Sequence, residues 1–322
     1  MLTPSPSDAL APDGWLSWAR GPGERGSDGG AACLPRLPET APSDIFKPWE
    51  NARGILLGVS GGPDSVALML LAARWSREAP SRPPVRVATV DHGLRKGSRE
   101  EAEAVSRWAG ALGLQHAILA WEGGKPSTRV QERARAARYA LLFRHAAETG
   151  ADHVMTAHHA DDQAETILFR LIRGSGVSGL AGMARSTTRG GLILARPLLP
   201  YPKAELVALC EAEAHPYFRD PSNDDPGYAR TRIRQLGAIL ARQGFGRDAL
   251  LKLGRRMARA ETALAARARA LREQIEARRE PGSFEADLSP FAGEPEEFLL
   301  RLLADELNVI GGKPLRLDRL EA

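Results

Sequence analysis

The stretch GILLGVSGGPDSVALMLLA, residues Gly54–Ala72, decides the fold. Its first part, GILLGV, is short, apolar and bounded by turn residues, which predicts a buried strand. Its last part continues into ARW with apolar residues all round and good helix formers, which predicts a buried helix. Between them Ser60, Gly61, Gly62, Pro63, Asp64 and Ser65 must reverse the chain. Glycine permits backbone angles and close approaches that a Cβ would block. The bend can therefore turn several N–H groups inward, beside the positive end of the helix dipole, and such a junction is an anion cradle. A tight turn ending in an Asp N-cap is the plainer explanation. The short apolar strand and the paired glycines favour phosphate.

Outward from this junction, strands and helices alternate. VRVATVDHGLR predicts a second strand over Val85–Val90, ending at Asp91. SREEAEAVSRWAGALG predicts a helix with Ser98 as N-cap and Glu101 completing a capping box. HAILAW is a third strand, and STRVQERARAARYALLFRHAAETG a long helix closed by Gly150. DHVMTAHH is a fourth strand, DDQAETILFRLIRGSG a helix, and KAELVALCEAEA another. This alternation implies crossovers and a parallel sheet of the α/β class, in which ligands bind at the carboxyl ends of the strands. The rule collects residues: Ser60–Ser65 after the first strand, then Asp91, His92 and Arg95 after the second. His158, His159, Asp161 and Asp162 follow the fourth. Singly, Asp161 or Asp162 is a good N-cap and His92 an ordinary loop histidine. Three polar clusters at strand ends together point to a site. Asp161 and Asp162 lie four and three residues before Glu165, on one helical face. Acids facing a triphosphate must bind a cation or repel the substrate. Mg²⁺, which prefers oxygen ligands, is the expected mediator; holding an ammonium group is the other use.

The chain has 322 residues, enough for two domains, and 43% hydrophobic content supports a sizeable core. No stretch approaches the run of about 18 apolar residues that a membrane helix needs, and the N-terminus lacks a basic start followed by an apolar segment. The two cysteines, Cys33 and Cys210, are far apart and without metal spacing, which fits a reducing cytoplasm. Residues 1–44 are rich in Pro, Gly, Ser and Asp without periodicity and are expected to be a disordered extension; a start codon assigned too early would look the same. Net charge is only +4 but unevenly placed. Ala229–Arg279 holds thirteen Arg and one Lys against four acids, and 280–322 holds ten acids against four bases. A basic helical block suggests a polyanion partner; a solvated arginine-rich helix is the alternative.

The loop is not a Walker A motif, because G-x-x-x-x-G-K-[ST] requires a lysine that SGGPDS lacks, nor is it G-x-G-x-x-G. It resembles the PP-loop of the N-type ATP pyrophosphatases, which implies that the loop holds the β,γ-phosphates and that ATP is cut between α and β. Together SGGPDS, DHGLR, HHADDQAET, RLIRGSGVSGLAGM, RPLL and DPSNDDPGYARTRIR, in this order over Gly54–Arg234, resemble the tRNA(Ile)-lysidine synthase family. That resemblance implies an α/β fold: a Rossmann-like, adenine nucleotide alpha hydrolase-like PP-loop domain over 45–218. A smaller, mainly helical, basic tRNA-binding domain over 219–322 would follow. It implies adenylation of the C2 carbonyl oxygen of the wobble cytidine in the CAU anticodon of tRNA(Ile), then attack by free L-lysine. ATP and Mg²⁺ are the implied cofactors. By resemblance Ser60–Ser65 bind ATP, with Asp64 near metal or α-phosphate. Asp91, His92, Arg95, His158 and Asp161 line the nucleotide and lysine pocket. Asp64, His159, Asp162 and Glu165 are the catalytic candidates, with Asp64 and Asp162 as metal ligands. Arg173, Arg230, Arg232, Arg234, Arg255, Arg256 and Arg259 are the expected tRNA contacts. Arg133, Arg135 and Arg138 share a helix and could touch phosphate. A cytoplasmic enzyme with no membrane partner is expected, a homodimer stays open, and the ending PLRLDRLEA is expected to mark a short form or a truncation.

A tRNA thiolase on the same loop would need a persulfide cysteine or an iron–sulfur cluster, and the chain has no C-x-x-C. A small-molecule amidotransferase would not need DHGLR, RGSG and the basic helices. A binding module with a dead loop would be expected to lose the acids, yet Asp64, Asp162 and Glu165 are present.

Overall fold

A computed structural model describes residues 37, 40–93, 97–122, 130–219, 229–280 and 283–311. The expected alternation is realised. After the short helix α1 (Pro42–Phe46) come β1 (Ile55–Gly58), α2 (Pro63–Glu78), β2 (Val85–Asp91), α3 (Ser98–Ala111) and β3 (Gln115–Ala120). The chain continues through α4 (Val130–Glu148), β4 (His153–Met155), α5 (Ala160–Ile172) and α6 (Val177–Leu180). The strands β5 (Ser186–Arg189) and β6 (Leu192–Ala195) and the helix α7 (Lys203–Ala212) complete this part.

The sheet has six strands in the order β3-β2-β1-β4-β6-β5, with every neighbouring pair parallel except β5 and β6. β1 is buried on both faces. Ile55 and Leu57 join a core built with α1, α2 and α7, and Leu56 joins a second core under α4. Alternate side chains of a strand face opposite sides, so this one apolar strand anchors both layers. β1 lies between β2 and β4, where the strand order reverses, and a crevice opens beyond the carboxyl ends at such a point.

The C-terminal part holds α8 (Ala229–Arg242), α9 (Arg247–Arg272), the hairpin of β7 (Ala277–Glu280) and β8 (Ser283–Ala286), and α10 (Glu296–Gly311). It is mainly helical as expected; the hairpin was not anticipated. α8 and α9 pack against α5, and α9 also against α6, with Gly254 of α9 against Ile167 and Leu180. The far end of α9 forms a small core with α10, made of Leu271, Phe291, Phe298 and Leu302. On α9 Leu250, Leu251 and Leu271 are buried, and Leu253, Met257 and Leu264 are half-buried.

One local expectation fails because a tertiary partner outcompetes a cap, and a second cap comes from an unexpected residue. Gly97, not Ser98, is the N-cap of α3, and no capping box forms, because the Ser98 hydroxyl donates to Asp91 Oδ1 at 2.5 Å. Neither Asp161 nor Asp162 caps α5; His159 does. Packing also begins before residue 45: Leu37 is buried and its N–H donates to Glu205 Oε2 at 2.6 Å, and α1 starts at Pro42.

Candidate active site

The loop after β1 is held from three sides. Gly62 is the N-cap of α2 and Pro63 opens the helix, where its fixed φ suits and its missing N–H leaves no unmet donor. Asp64 is therefore not a cap, and its carboxylate is available. Gly61 has φ +84°, its carbonyl accepts the Phe218 N–H at 2.8 Å, and a Cβ there would come within 2.7 Å of the Phe218 ring. The buried Ser65 Oγ accepts the Ser60 N–H at 3.1 Å and donates to the Gly62 carbonyl at 2.9 Å. The first-turn N–H groups of α2 have no intrahelical acceptor. They sit at the positive end of a 16-residue helix, beside a cavity of about 620 Å³ lined by Ser60 and Gly62–Ser65.

Across the cavity stands the start of α5. His159 Nδ1 accepts the Asp162 N–H at 3.2 Å, and Asp162 Oδ2 accepts the His159 N–H at 3.3 Å, a reciprocal cap. With Nδ1 accepting, the ring proton sits on Nε2, which faces Asp64 Oδ2 at 3.6 Å and Asp162 Oδ2 at 3.4 Å. Burial of the ring disfavours the imidazolium. The nearby carboxylate of Asp64 and the charges of Asp162 and Asp161 outweigh it and raise the His159 pKa above its ordinary value. Asp64 Oδ1 is buried without a hydrogen-bond partner.

Asp64 and Asp162 thus bracket His159 with hard oxygen donors, one of them unsatisfied. Among the described residues no cluster of three or more His, Cys, Asp or Glu side chains forms a complete cage. That set suits Mg²⁺, which takes one or two carboxylates and draws its remaining ligands from phosphate and water.

The other expected residues separate. His92 and His158 line the cavity. His158 Nδ1 lies 2.9 Å from Thr156 Oγ1 and Nε2 lies 3.4 Å from Arg135 Nη2. An arginine can only donate, so Nε2 accepts and the proton is on Nδ1. Arg135 also donates to the Tyr139 hydroxyl at 3.3 Å, and Arg135, Arg138 and Tyr139 form one wall; Arg133 is exposed. Asp91 is not in the lining. Its Oδ1 accepts from Ser98 Oγ and from the Gly93 N–H at 3.0 Å. The Ser98 hydroxyl holds its pKa below the usual range, against the opposing effect of burial and with help from Gly93. Asp161 also faces away: Oδ2 accepts the Lys203 N–H at 2.8 Å and Oδ1 meets Arg247 Nη1 at 3.5 Å, tying α5 to α7 and α9. Glu165 accepts from Arg234 Nε at 2.6 Å, and Arg234 lines the cavity. Arg95 and the side chain of Arg230 lie outside the described residues.

Sequence reading missed Lys203, Thr156, Phe218 and Arg219, all in the lining. YPKAEL marks Lys203 as the start of a helix and nothing more; only the packing of α7 on α2 brings it to the loop. Cys210 is buried, its thiol 3.4 Å from the Pro63 carbonyl. Burial, then the charges of Asp64 and Glu211, push its pKa up to about 11, so it is a poor thiolate.

On the outer surface Arg255, Arg256 and Arg259 are exposed on α9. With exposed Lys252 they follow i, i+3, i+4, i+7 spacing, one face of the helix. Arg173 stacks over Phe169 at 4.0 Å and Arg232 is exposed.

A family profile described as PP-loop domain matches residues 39–239. A tRNA(Ile)-lysidine synthase from Methylobacterium sp. (strain 4-46) is 50% identical over 84% of this chain and 79% of its own length. One from Methylobacterium nodulans is 51% identical over 84% and 80%, and one from Bradyrhizobium diazoefficiens 45% over 86% and 79%. Among solved structures, a U34-tRNA thiolase from Methanococcus maripaludis, described with its [4Fe-4S] cluster, superposes with a TM-score of 0.57. It is 18% identical and covers 67% of this chain and 78% of that one, a likeness of fold alone. With half of its residues shared over most of both chains, this chain belongs to the tRNA(Ile)-lysidine synthase family of PP-loop proteins.

Proposed function

We propose that the chain adenylates the C2 carbonyl oxygen of the wobble cytidine in tRNA(Ile) with the CAU anticodon. It then joins free L-lysine there through the ε-amine to give lysidine. The observation that carries this reading is the pairing, across one cavity, of a stapled anion loop bearing Asp64 with the carboxylate Asp162. A carbonyl oxygen is a poor leaving group until adenylated. In the first step the C2 oxygen attacks the α-phosphorus and pyrophosphate departs with the electron pair of the broken P–O bond. In the second the ε-amine, as free base, attacks C2 and AMP leaves.

Ser65 keeps the loop's N–H groups aimed at the β,γ-phosphates. Mg²⁺, when bound, neutralises phosphate charge; Asp64 and Asp162 would hold it. His159 already uses Nδ1 in the cap and Nε2 between two carboxylates. It acts as the post that positions Asp64 and Asp162 rather than as the base. Asp162 lines the cavity, whereas Glu165 is paired with Arg234 through Oε1. Arg173, Arg230, Arg232, Arg234 and the α9 stripe are the tRNA contacts, and the cytoplasm is the compartment that supplies tRNA, ATP and lysine. The thiolase reading is not supported, since two cysteines cannot supply the four that such clusters ordinarily use and Cys210 is a buried, protonated thiol.

The test incubates the chain with ATP, Mg²⁺, labelled lysine and total tRNA. Label should enter acid-insoluble tRNA with release of AMP and pyrophosphate. ADP and orthophosphate as products, or no incorporation, would sink the reading.

A further inference from the structure

The loop SGGPDS contains no lysine, yet four phosphate charges need more than N–H dipoles. Lys203 supplies what the loop lacks. It is the first residue of α7, it lines the cavity, and its Nζ lies 3.8 Å from Asp64 Oδ2 with the side chain 44% exposed. We infer that Lys203 is a phosphate-binding residue for the nucleotide: it rests against Asp64 until ATP arrives and then turns to the β,γ-phosphates. This rests on the reading that ATP is the substrate.

Three observations support it. The backbone of Lys203 is fixed, its N–H held by Asp161 at 2.8 Å, and Asp161 is itself held by Arg247 at 3.5 Å. The side chain is not fixed, because 3.8 Å is an ion contact beyond hydrogen-bond length. A fixed root with a loosely held ammonium on a four-carbon stem is suited to meet an arriving anion. Three arginines of the same cavity are engaged elsewhere, Arg135 with His158 and Tyr139, Arg234 with Glu165, and Arg219 with Tyr217, and Arg138 has a partner as well. As the bond between the α-phosphorus and the bridging oxygen breaks, the electron pair goes to pyrophosphate. The Lys203 ammonium then donates a hydrogen bond to that anion, without transfer of its proton.

The test is equilibrium binding by calorimetry of ATP, AMP and inorganic pyrophosphate, with Mg²⁺ present, to the wild type, Lys203→Met and Lys203→Arg. Thermal unfolding checks each fold. Lys203→Met should bind ATP and pyrophosphate at least tenfold more weakly and AMP within twofold of wild type, and Lys203→Arg should recover most of the loss. Equal weakening for AMP and ATP, unchanged ATP binding, or a Lys203→Arg variant that binds pyrophosphate no better than Lys203→Met would overturn the inference; if Lys203→Met does not fold, Lys203→Gln is read against the same outcomes. A wild-type chain that binds no ATP would overturn the functional reading itself, and the inference with it.

Discussion

Gly61 is the residue on which the loop's shape depends most directly. Its φ of +84° costs an L side chain about 1–2 kcal/mol, and the Phe218 ring fills the space a Cβ would need. Gly61→Ala should therefore weaken ATP binding several-fold and lower stability by about 1–3 kcal/mol. ATP titration and a thermal melt check both, and unchanged ATP affinity would show that the clamp from Phe218 does not shape the cradle. Asp64→Asn makes the complementary test. It removes a charge from the cavity's edge without touching the core. Lysine incorporation should nearly vanish while the melt and tRNA affinity stay near wild type; normal turnover would refute Asp64's role. The loop was legible because its determinants are consecutive. Lys203 and Phe218 were not, because tertiary packing alone brings them there. Asp91 and Asp161 illustrate the opposite difficulty. A carboxylate at a strand end can face the cavity or hold a turn, and sequence spacing is the same for both.

Elements were legible wherever the apolar pattern was long, and their ends were decided by partners elsewhere. α2 and β1 follow from composition alone. The cap of α5 came instead from His159, which no propensity favours but which Asp64 and Asp162 stabilise from either side. The β5–β6 hairpin had a local signal that went unused: Gly190 and Gly191, both at positive φ, join the two strands, the two-residue turn that hairpins prefer. At the sheet's other end Asp152 ties the start of β1 to β4. Its Oδ1 accepts the Arg53 N–H at 3.0 Å and meets His153 Nδ1 at 2.7 Å. Burial pushes its pKa up, but the His153 contact and the N–H groups of Arg53 and Gly54 prevail and hold it down to about 2. Because the folded pKa lies below the unfolded value near 3.8, this stabilisation is present above that value and lost as pH falls toward about 2. Asp152→Ala should cost about 1–2 kcal/mol at pH 7. It should also flatten the stability loss between about pH 4 and 2, measured by denaturant titration at several pH values; an unchanged acid limb would mean the tie carries no stability.

At the scale of the molecule, the charge imbalance read from the sequence resolves into two populations of arginine. Toward the end of α9 the acids of the C-terminal segment neutralise the bases: Arg267 pairs with Glu294, and Arg272 with Asp305 and Glu306. The bidentate contact of Arg301 with Glu261, at 2.9 and 2.8 Å, joins α10 to α9. The net +10 of residues 229–279 therefore overstates the charge offered to a partner. Exposed along the part of α9 that meets α5, where Gly254 packs on Ile167 and Arg247 meets Asp161, is the stripe of Lys252, Arg255, Arg256 and Arg259; Arg232, Arg242 and Arg269 are exposed as well. A polyanion drawn to this stripe would be held by the same body that carries the cavity. Each phosphate contact releases counterions, so each one lost should lower the salt slope of binding by roughly 0.7–0.9 in log–log units. Reversing Arg255, Arg256 and Arg259 to Glu should weaken tRNA binding at least tenfold, about 1.4 kcal/mol, and make its salt dependence shallower. The dependence of turnover on free lysine should stay unchanged, because none of the three lines the cavity. Filter binding at several salt concentrations separates this from a merely solvated helix, for which affinity and slope would both stay at wild type.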